Sequence, residues 1–87
     1  MSDRPRLILY GRVYCHLCSE MEVALTPLRE EIGFDLECVD VDAYPDLEER
    51  FGDLVPVLVL DGRELCHYFL DEAAVRAGIR ALSSGIH

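Results

Sequence analysis

Two short apolar runs, separated by an amphipathic stretch, dominate the pattern of the chain. Residues 7–10 and 55–60 are almost entirely apolar, which is typical of strands buried on both faces. Between them, apolar residues recur at helical spacing, and this stripe predicts a helix that ends at Gly33. Pro27 lies inside that helix and removes one backbone hydrogen bond, so we expect a kink or a local break near it. The stripe consists of Leu17, Met21, Ala24, Leu25, Leu28 and Ile32.

A second strand and a short helix follow. Residues 36–41 alternate in the manner of a strand, and Cys38, on the same face as Leu36, is expected to pack in the core as a small apolar residue. Pro45 suits the first turn of a helix, and Gly52 suits its end. These residues predict a strand followed directly by a helix of about two turns.

A hairpin and a last helix complete the pattern. Asp61-Gly62 is a strong hairpin signal, and it joins the second apolar run to a strand at residues 63–67. Asp71 is predicted to cap the last helix, with Glu72 in its first turn and Gly85 at its end. The buried face of that helix is expected to contain Val75, Ile79 and Leu82.

The predicted element order is therefore β-α-β-α-β-β-α. Two parallel strands joined by a crossover helix, then an antiparallel hairpin and a closing helix, make an α/β fold with a mixed four-stranded sheet flanked by helices. No repeat or linker interrupts the pattern. We expect a single domain over residues 1–87, with its core at about 7–82.

Composition limits the classes of partner. The 87 residues carry a net charge of −9, and the eight basic residues are all arginines without a cluster, which argues against nucleic acid. No apolar stretch approaches the roughly 20 residues that span a bilayer, and no signal peptide is apparent at the start. We therefore expect a cytoplasmic monomer that binds neither nucleic acid nor membrane.

The four cysteines are unevenly spaced. Cys15 and Cys18 form a C-x-x-C motif, whereas Cys38 and Cys66 stand apart. A disulfide framework is typical of secreted proteins, and a zinc site would need a second pair of ligands, so no metal site is predicted. A C-x-x-C motif between a strand and a helix instead indicates a redox dithiol.

The chemistry follows from the position of the motif at a helix start. Unpaired amide groups and the helix dipole favour the thiolate of Cys15, and Arg12 and His16 would act in the same direction if they approach the sulfur. Cys18 lies one turn further on, where it can reach Cys15 but is more shielded. This arrangement suits thiol–disulfide exchange, with Cys15 as the attacking thiol and Cys18 as the resolving one.

Val55-Pro56, at the start of the second apolar run, suggests a docking position. A proline there removes a ladder donor, and a cis bond would leave the backbone of Val55 free to pair with an extended peptide. Tyr14 is expected to pack beside the cysteine and to form part of the same docking lip.

The chain resembles the glutaredoxin-like branch of the thioredoxin-fold superfamily over about residues 7–82. Residues 10–18, Tyr-Gly-Arg-Val-Tyr-Cys-His-Leu-Cys, are similar to the family segment Tyr-Ser-Lys-Pro-aromatic-Cys-Pro-Tyr-Cys, and residues 54–56 are similar to its Thr-Val-Pro. The resemblance implies that Cys15 is the nucleophile and Cys18 the resolving thiol. It also implies that Arg12 is a cationic neighbour, that Val55 is the backbone docking point, and that the proline is cis.

Two departures from the family pattern concern glutathione. His16-Leu17 replaces Pro-Tyr between the cysteines, where the family places a side chain of the substrate groove. Asp71 and Glu72 stand at the start of the last helix, where the family binds an anionic carboxylate, and they would repel it. We therefore expect no bound cofactor, and we expect glutathione to be a poor reductant.

Together these residues predict a thiol–disulfide oxidoreductase that acts on disulfides of proteins or small molecules. Arg12, Tyr14, His16, Leu17, Val55 and Pro56 are the candidate substrate-binding residues. The regenerating reductant is glutathione or a thioredoxin-reductase system. Two other functions remain open: a module in which Cys15 binds an iron–sulfur cluster or a metal, shared across a dimer, and an interaction domain without turnover.

Overall fold

The computed structural model, which describes residues 4–84, has the predicted order of elements with one additional turn of 3₁₀ helix. Each of the three helices follows the strand that the sequence predicts before it, and the first helix begins and ends where the sequence places it. The elements are β1 (Arg6–Gly11), α1 (His16–Ile32), β2 (Asp35–Asp40), the 3₁₀ turn (Val41–Ala43), α2 (Pro45–Phe51), β3 (Val57–Leu60), β4 (Arg63–His67) and α3 (Glu72–Ser84).

The four strands form one mixed sheet in the order β2-β1-β3-β4. β1 and β2 are parallel, whereas β1–β3 and β3–β4 are antiparallel, so the predicted α/β architecture is confirmed. β2 and β4 are the two edges, and this separation keeps Cys38 and Cys66 apart as free thiols. Cys66 is buried, as suits the low polarity of a free cysteine.

The prediction that Cys38 packs in the core is wrong. Cys38 is exposed, although its β-strand neighbour Leu9 is buried. β2 is an edge strand with an exposed or half-buried pattern throughout, so alternation alone does not bury its residues. Cys38 therefore remains accessible from one side of the sheet.

Apolar residues cover both faces of the sheet. A larger cluster packs α1 and α3 against one face, and a smaller cluster packs α2 and the 3₁₀ turn against the other. All four residues of β3 are buried because each face of this central strand is covered. The larger cluster includes Leu7, Leu9, Met21, Leu25, Leu28, Phe34, Leu58, Leu60, Cys66, Val75 and Ile79, and the smaller one Val41, Phe51, Val57 and Val59.

The local break expected at Pro27 does not occur. α1 continues from His16 to Ile32 with Pro27 inside it. Pro27 is exposed, and so is Val23, whose carbonyl would have accepted the missing hydrogen bond. A carbonyl on the exposed side of a helix can be hydrated, so the lost bond does not end the helix. Gly33 then ends it in the left-handed conformation, with φ 85°.

The hairpin and the cap of α3 match their sequence signals. Asp61 and Gly62 both have positive φ, 53° and 78°, as the tight turn requires. Asp71 accepts a hydrogen bond from the amide of Ala74 at 3.1 Å. Gly85, the predicted end of the helix, lies outside the described residues. No helix within residues 4–84 is long and apolar enough to cross a membrane.

Candidate active site

Cys15 lies at the N-terminal end of α1, directly after the loop from β1. It is the N-cap residue, with extended backbone angles of φ −112° and ψ 111°. Its Sγ accepts a hydrogen bond from the amide of Cys18 at 3.1 Å, and its carbonyl accepts one from Ser19 at 3.1 Å. The first turn of α1 contains no acidic residue. The sulfur therefore occupies the position where a helix stabilises negative charge.

Cys15 and Cys18 form a disulfide, with their Cα atoms 5.1 Å apart. Cys15 is half-buried, whereas Cys18 is 8% exposed. Gly11 explains how Cys18 fits: a Cβ added at Gly11 would lie 2.9 Å from Sγ of Cys18. Only glycine lets the end of β1 approach the sulfur this closely. One sulfur is thus open to a partner and the other is shielded, as the sequence predicts.

Arg12, in the loop before Cys15, contacts the carboxylates of Asp42 and Glu48. Its guanidinium donates hydrogen bonds to Asp42, to Glu48 at 2.7 Å and to the carbonyl of Gly52 at 3.0 Å. The hydrogen bond to Glu48, with further help from Asp42, raises the pKa of Arg12. These contacts join the Cys15 loop to α2. The positive charge of Arg12 is therefore already matched by two carboxylates, and its effect on Cys15 stays a prediction.

His16 and Leu17 lie on different sides of the first turn. The His16 side chain is 88% exposed, and its Nε2 lies 2.6 Å from Glu20 one turn later. Leu17 is half-buried and lines a shallow groove with Tyr68 and Phe69. Leu17 is therefore placed where a docked chain could contact it, whereas His16 points to solvent and to its own helix.

The Val55-Pro56 segment lies at the same end of the sheet as Cys15. Its peptide bond is cis, and the register pairs Val57 with Tyr10 near the end of β1, so the segment precedes β3 close to the Cys15 loop. Within residues 4–84, the backbone N–H and C=O of Val55 form no hydrogen bond. Both groups are free of internal partners among these residues, and pairing of Val55 with an added strand stays a prediction.

Tyr68 supports the Val55-Pro56 segment. The sequence alone does not predict this role of Tyr68. Its amide donates to the carbonyl of Pro56 and its hydroxyl to the carbonyl of Asp53, each at 2.9 Å. Tyr68 has a φ of 64°, an uncommon value for a residue other than glycine. The contacts span 12 and 15 residues, so no local pattern could have indicated them. Tyr68 therefore holds the Val55-Pro56 segment from two sides.

Three exposed large apolar side chains lie on the Cys15 loop and beside the groove at Leu17. Tyr14 is fully exposed, so the expectation that it packs beside Cys15 is wrong, and Val13 and Phe69 are 70% and 68% exposed. Val13 and Tyr14 come from the Cys15 loop, and Phe69 comes from the connection between β4 and α3. We call these three side chains the apolar rim. Three large apolar side chains that remain in solvent near one reactive group are typical of an interaction surface.

A cleft opens beside Cys18. It encloses about 260 Å³ and is lined by Cys18, Cys38 and Glu22 among others. Burial, and secondarily Glu22, raises the pKa of the Cys38 thiol above its ordinary value. No group of three or more His, Cys, Asp or Glu side chains within residues 4–84 is arranged to hold a metal ion.

Comparison with known proteins agrees with this geometry. The family model of the glutaredoxin-like domain (DUF836) matches residues 6–80. The chain belongs to this family. An uncharacterized protein of Mycobacterium tuberculosis, Rv0508, is 38% identical to it over 88 residues, covering 95% of this chain and 91% of the relative. Membership of the family supports a redox role for the Cys15–Cys18 pair in general terms.

Solved structures support the fold of this glutaredoxin-like domain. The solution structure of protein Ne2328 from Nitrosomonas europaea has a TM-score of 0.82 and 38% identity, covering 91% of this chain and 95% of that chain. Oxidised mitochondrial thioredoxin 3 from Saccharomyces cerevisiae has a TM-score of 0.65 at 23% identity, covering 92% and 80%. The second likeness concerns the fold alone. The domain therefore has a thioredoxin-like fold, and its C-x-x-C pair lies at the start of α1.

Proposed function

We propose that this protein is a thiol–disulfide oxidoreductase that reduces disulfides of proteins or small molecules through Cys15 and Cys18. The observation that carries the proposal is the sulfur of Cys15 at the N-cap of α1, where it accepts the amide of Cys18. A thiolate at this position gains the hydrogen bond and the helix field, whereas a neutral thiol gains much less. Such positions lower the pKa of cysteine from about 8.5 towards neutrality.

The reaction proceeds through two exchanges. The Cys15 thiolate attacks one sulfur of the substrate disulfide, a mixed disulfide forms, and the other substrate sulfur leaves as a thiolate. Cys18 then loses its proton and attacks Sγ of Cys15, which releases the second substrate thiolate. The substrate has gained two electrons, and the protein is left with the Cys15–Cys18 disulfide. An external dithiol returns the pair to the reduced form.

The shielding of Cys18 supports this division of roles. A substrate sulfur can approach Cys15, which is half-buried, whereas Cys18 is shielded and reacts only with Sγ of Cys15 once the mixed disulfide has formed. The apolar rim and the free backbone of Val55 would hold an extended segment of the substrate beside Cys15. Leu17 would complete this docking surface. The Pro56 ring, a predicted contact residue, is fully buried and can only support the surface from beneath.

We infer that a thioredoxin-reductase system is a better reductant than glutathione. Glutathione is anionic, and two features that could bind a carboxylate, the N-terminus of α3 and Arg12, are already occupied by acidic side chains of the chain itself. Asp71 fills the N-terminus of α3, and Asp42 and Glu48 hold Arg12. We also propose that the protein acts in the cytoplasm, where such a reductant is present. We propose that it acts as a monomer and without a bound cofactor.

The test is a set of three single variants assayed for reduction of insulin and of a small disulfide. Cys15→Ser is expected to abolish turnover, because no nucleophile remains. Cys18→Ser is expected to stop after the first exchange and to accumulate a mixed disulfide on Cys15, visible by mass spectrometry. Cys38→Ser is the matched control and is expected to keep the wild-type rate. Undiminished turnover in Cys15→Ser would refute the proposal.

A further inference from the structure

The cleft beside Cys18 combines apolar walls with carboxylates. Leu9, Val13 and Val39 supply apolar surface, and Glu22 and Asp40 supply the negative charge. The cleft encloses about 260 Å³, which is far more than one water molecule occupies. It is open to solvent between α1 and the edge strand β2. An extended side chain with an apolar stem and a charged end has the matching chemistry.

The two carboxylates that line the cleft are not neutralised by ion pairs with other side chains of the described residues. Neither Glu22 nor Asp40 forms an ion pair inside the described part of the chain. Asp40 accepts only the backbone amide of Asp42, at 2.9 Å. Arg12 is the cation among the lining residues, and its guanidinium is held by Asp42 and Glu48. The cleft therefore presents two carboxylates beside Cys18, and Arg29, which also acts on Cys38, lies outside its lining.

We propose that this cleft binds a Lys or Arg side chain of the protein whose disulfide is exchanged at Cys15. The methylene stem packs on Leu9, Val13 and Val39, and the cationic end faces the carboxylates. The inference rests on the proposed function, since the anchored partner is its substrate. The occupant is a side chain on a polypeptide, because Val13 also belongs to the apolar rim, so one bound chain reaches both the rim and the cleft.

The same arrangement disfavours anionic partners. Glu22 and Asp40 repel a carboxylate near Cys18, and Asp71 already caps α3 with its own carboxylate. The site thus selects by charge in both directions. A basic residue near the substrate cysteine gains an anchor, whereas an acidic one meets like charge. Attraction of this kind is weakened by salt.

Cys38 provides a probe of the cleft that does not depend on turnover. With the Cys15–Cys18 disulfide intact, Cys38 is an exposed free thiol and Cys66 is buried. Cationic and anionic methanethiosulfonate reagents of similar size are reacted with Cys38, and each rate is divided by that of a free simple thiol. We expect the normalised rate of the cationic reagent to exceed that of the anionic one by about fivefold to tenfold at low salt.

The variant Glu22→Gln with Asp40→Asn removes both charges and keeps the size and hydrogen-bonding capacity of each side chain. It is expected to bring the ratio of the two rates close to one. The matched control is Glu30→Gln with Glu49→Gln, which changes net charge equally at exposed positions outside the cleft. An unchanged ratio in the first variant, or the same drop in the control, would overturn the proposal.

Peptide disulfides provide the second readout. Two peptides that differ only in Arg or Glu next to the cysteine are offered to the reduced protein. The Arg peptide is expected to have a kcat/KM about fivefold higher, lost in the double variant and at high salt. Equal rates for both peptides refute the cleft anchor and leave the oxidoreductase intact. Absence of turnover with either peptide, together with charge selectivity at Cys38, refutes the oxidoreductase alone.

Discussion

Two helices in this domain begin with the same hydrogen bond but with different chemical groups. At the start of α1, Sγ of Cys15 accepts the amide of Cys18 at 3.1 Å, and at the start of α3 the carboxylate of Asp71 accepts the amide of Ala74 at 3.1 Å. The first turn of α1 has no acidic residue, whereas that of α3 has Glu72. The two hydrogen bonds have the same length and spacing. The N-terminus of α3 already faces a carboxylate, whereas that of α1 faces a sulfur that carries no charge in the disulfide.

The difference shows how one structural device serves stability at one site and reactivity at another. A carboxylate is among the preferred N-cap groups, so the positive N-terminal end of α3 is paired with the charge of Asp71 and the pairing stabilises the fold. Cysteine is not among the preferred caps, so α1 gives up some cap strength. In the proposed reaction, the field of α1 instead acts on a sulfur that alternates between disulfide and thiolate. The absence of acid in that turn keeps the field available to the thiolate.

The largest expected effect comes from filling the space beneath the first turn of α1. Gly11→Ala places a Cβ 2.9 Å from Sγ of Cys18, so the sulfur or β1 must shift, and we expect a loss of about 1–3 kcal/mol in the free energy of unfolding. Gly78→Ala in α3 is the control. Its Cβ meets only the flexible ends of Leu65 and Leu60, and alanine favours the helix. Denaturant unfolding is the measurement, and equal losses would contradict this account.

The cap of α3 comes next in size. Asp71→Ala removes the acceptor for the amide of Ala74 and is expected to cost about 1 kcal/mol in the free energy of unfolding. Asp71→Asn keeps the acceptor and is expected to stay close to the wild type. If Asn were as damaging as Ala, the charge of Asp71 rather than its hydrogen bond would be the stabilising element. Thermal and denaturant unfolding distinguish the two.

A smaller effect is expected from making α1 resemble α3. His16→Glu puts a carboxylate into the first turn of α1 at an 88% exposed side chain, so packing is preserved. We expect the pKa of Cys15 to rise by about half a unit. His16→Gln removes the same contact with Glu20 without adding charge, and separates the two causes. The pH dependence of Cys15 alkylation measures the shift. An equal shift in both variants would show that the imidazole, not the helix field, matters.

The smallest effect concerns an exposed ion pair that joins α3 to α1. Arg76 donates to Glu31 at 2.8 and 3.0 Å, which lowers the pKa of Glu31 below its ordinary value of 4.5. A lowered pKa means that the pair stabilises the fold above pH 4.5 and stops doing so as the pH falls through the lowered value. Glu31→Gln should therefore be slightly less stable than Glu30→Gln at pH 7, and the difference should vanish once the pH lies below the lowered pKa of Glu31. A difference that persists in acid would exclude the ion pair as its cause.

The architecture was accessible from the sequence because it depends on local patterns. The two apolar runs, the Asp61-Gly62 turn and the Asp71 cap each carry their signal within a few residues, and all are present as predicted. The second run gave a shorter strand than its length suggested, since Val55 and Pro56 belong to the preceding loop. The break predicted at Pro27 is wrong, because the effect of a proline on a helix depends on whether the carbonyl that loses its hydrogen bond faces solvent.

Contacts between distant segments were not accessible in this way. Arg12 meets Asp42 and Glu48, 30 and 36 residues away, and no local pattern distinguishes these carboxylates from the other acidic side chains. Cys38 looked like a core residue because strand alternation does not reveal whether a strand lies at an edge. The role of Tyr68 arises from contacts with a loop 12 to 15 residues earlier. The sequence therefore identifies the C-x-x-C motif, but only the fold shows which carboxylates pair with Arg12 beside it.

The central claim is that α1 holds Cys15 as a thiolate at neutral pH. The most direct measurement is the rate of iodoacetamide alkylation of Cys15 against pH in the reduced protein, in a Cys38→Ser background so that the other exposed thiol is absent. The account predicts a single titration with its midpoint well below about 8. A midpoint at or above about 8.5, the value of an unperturbed thiol, would contradict it.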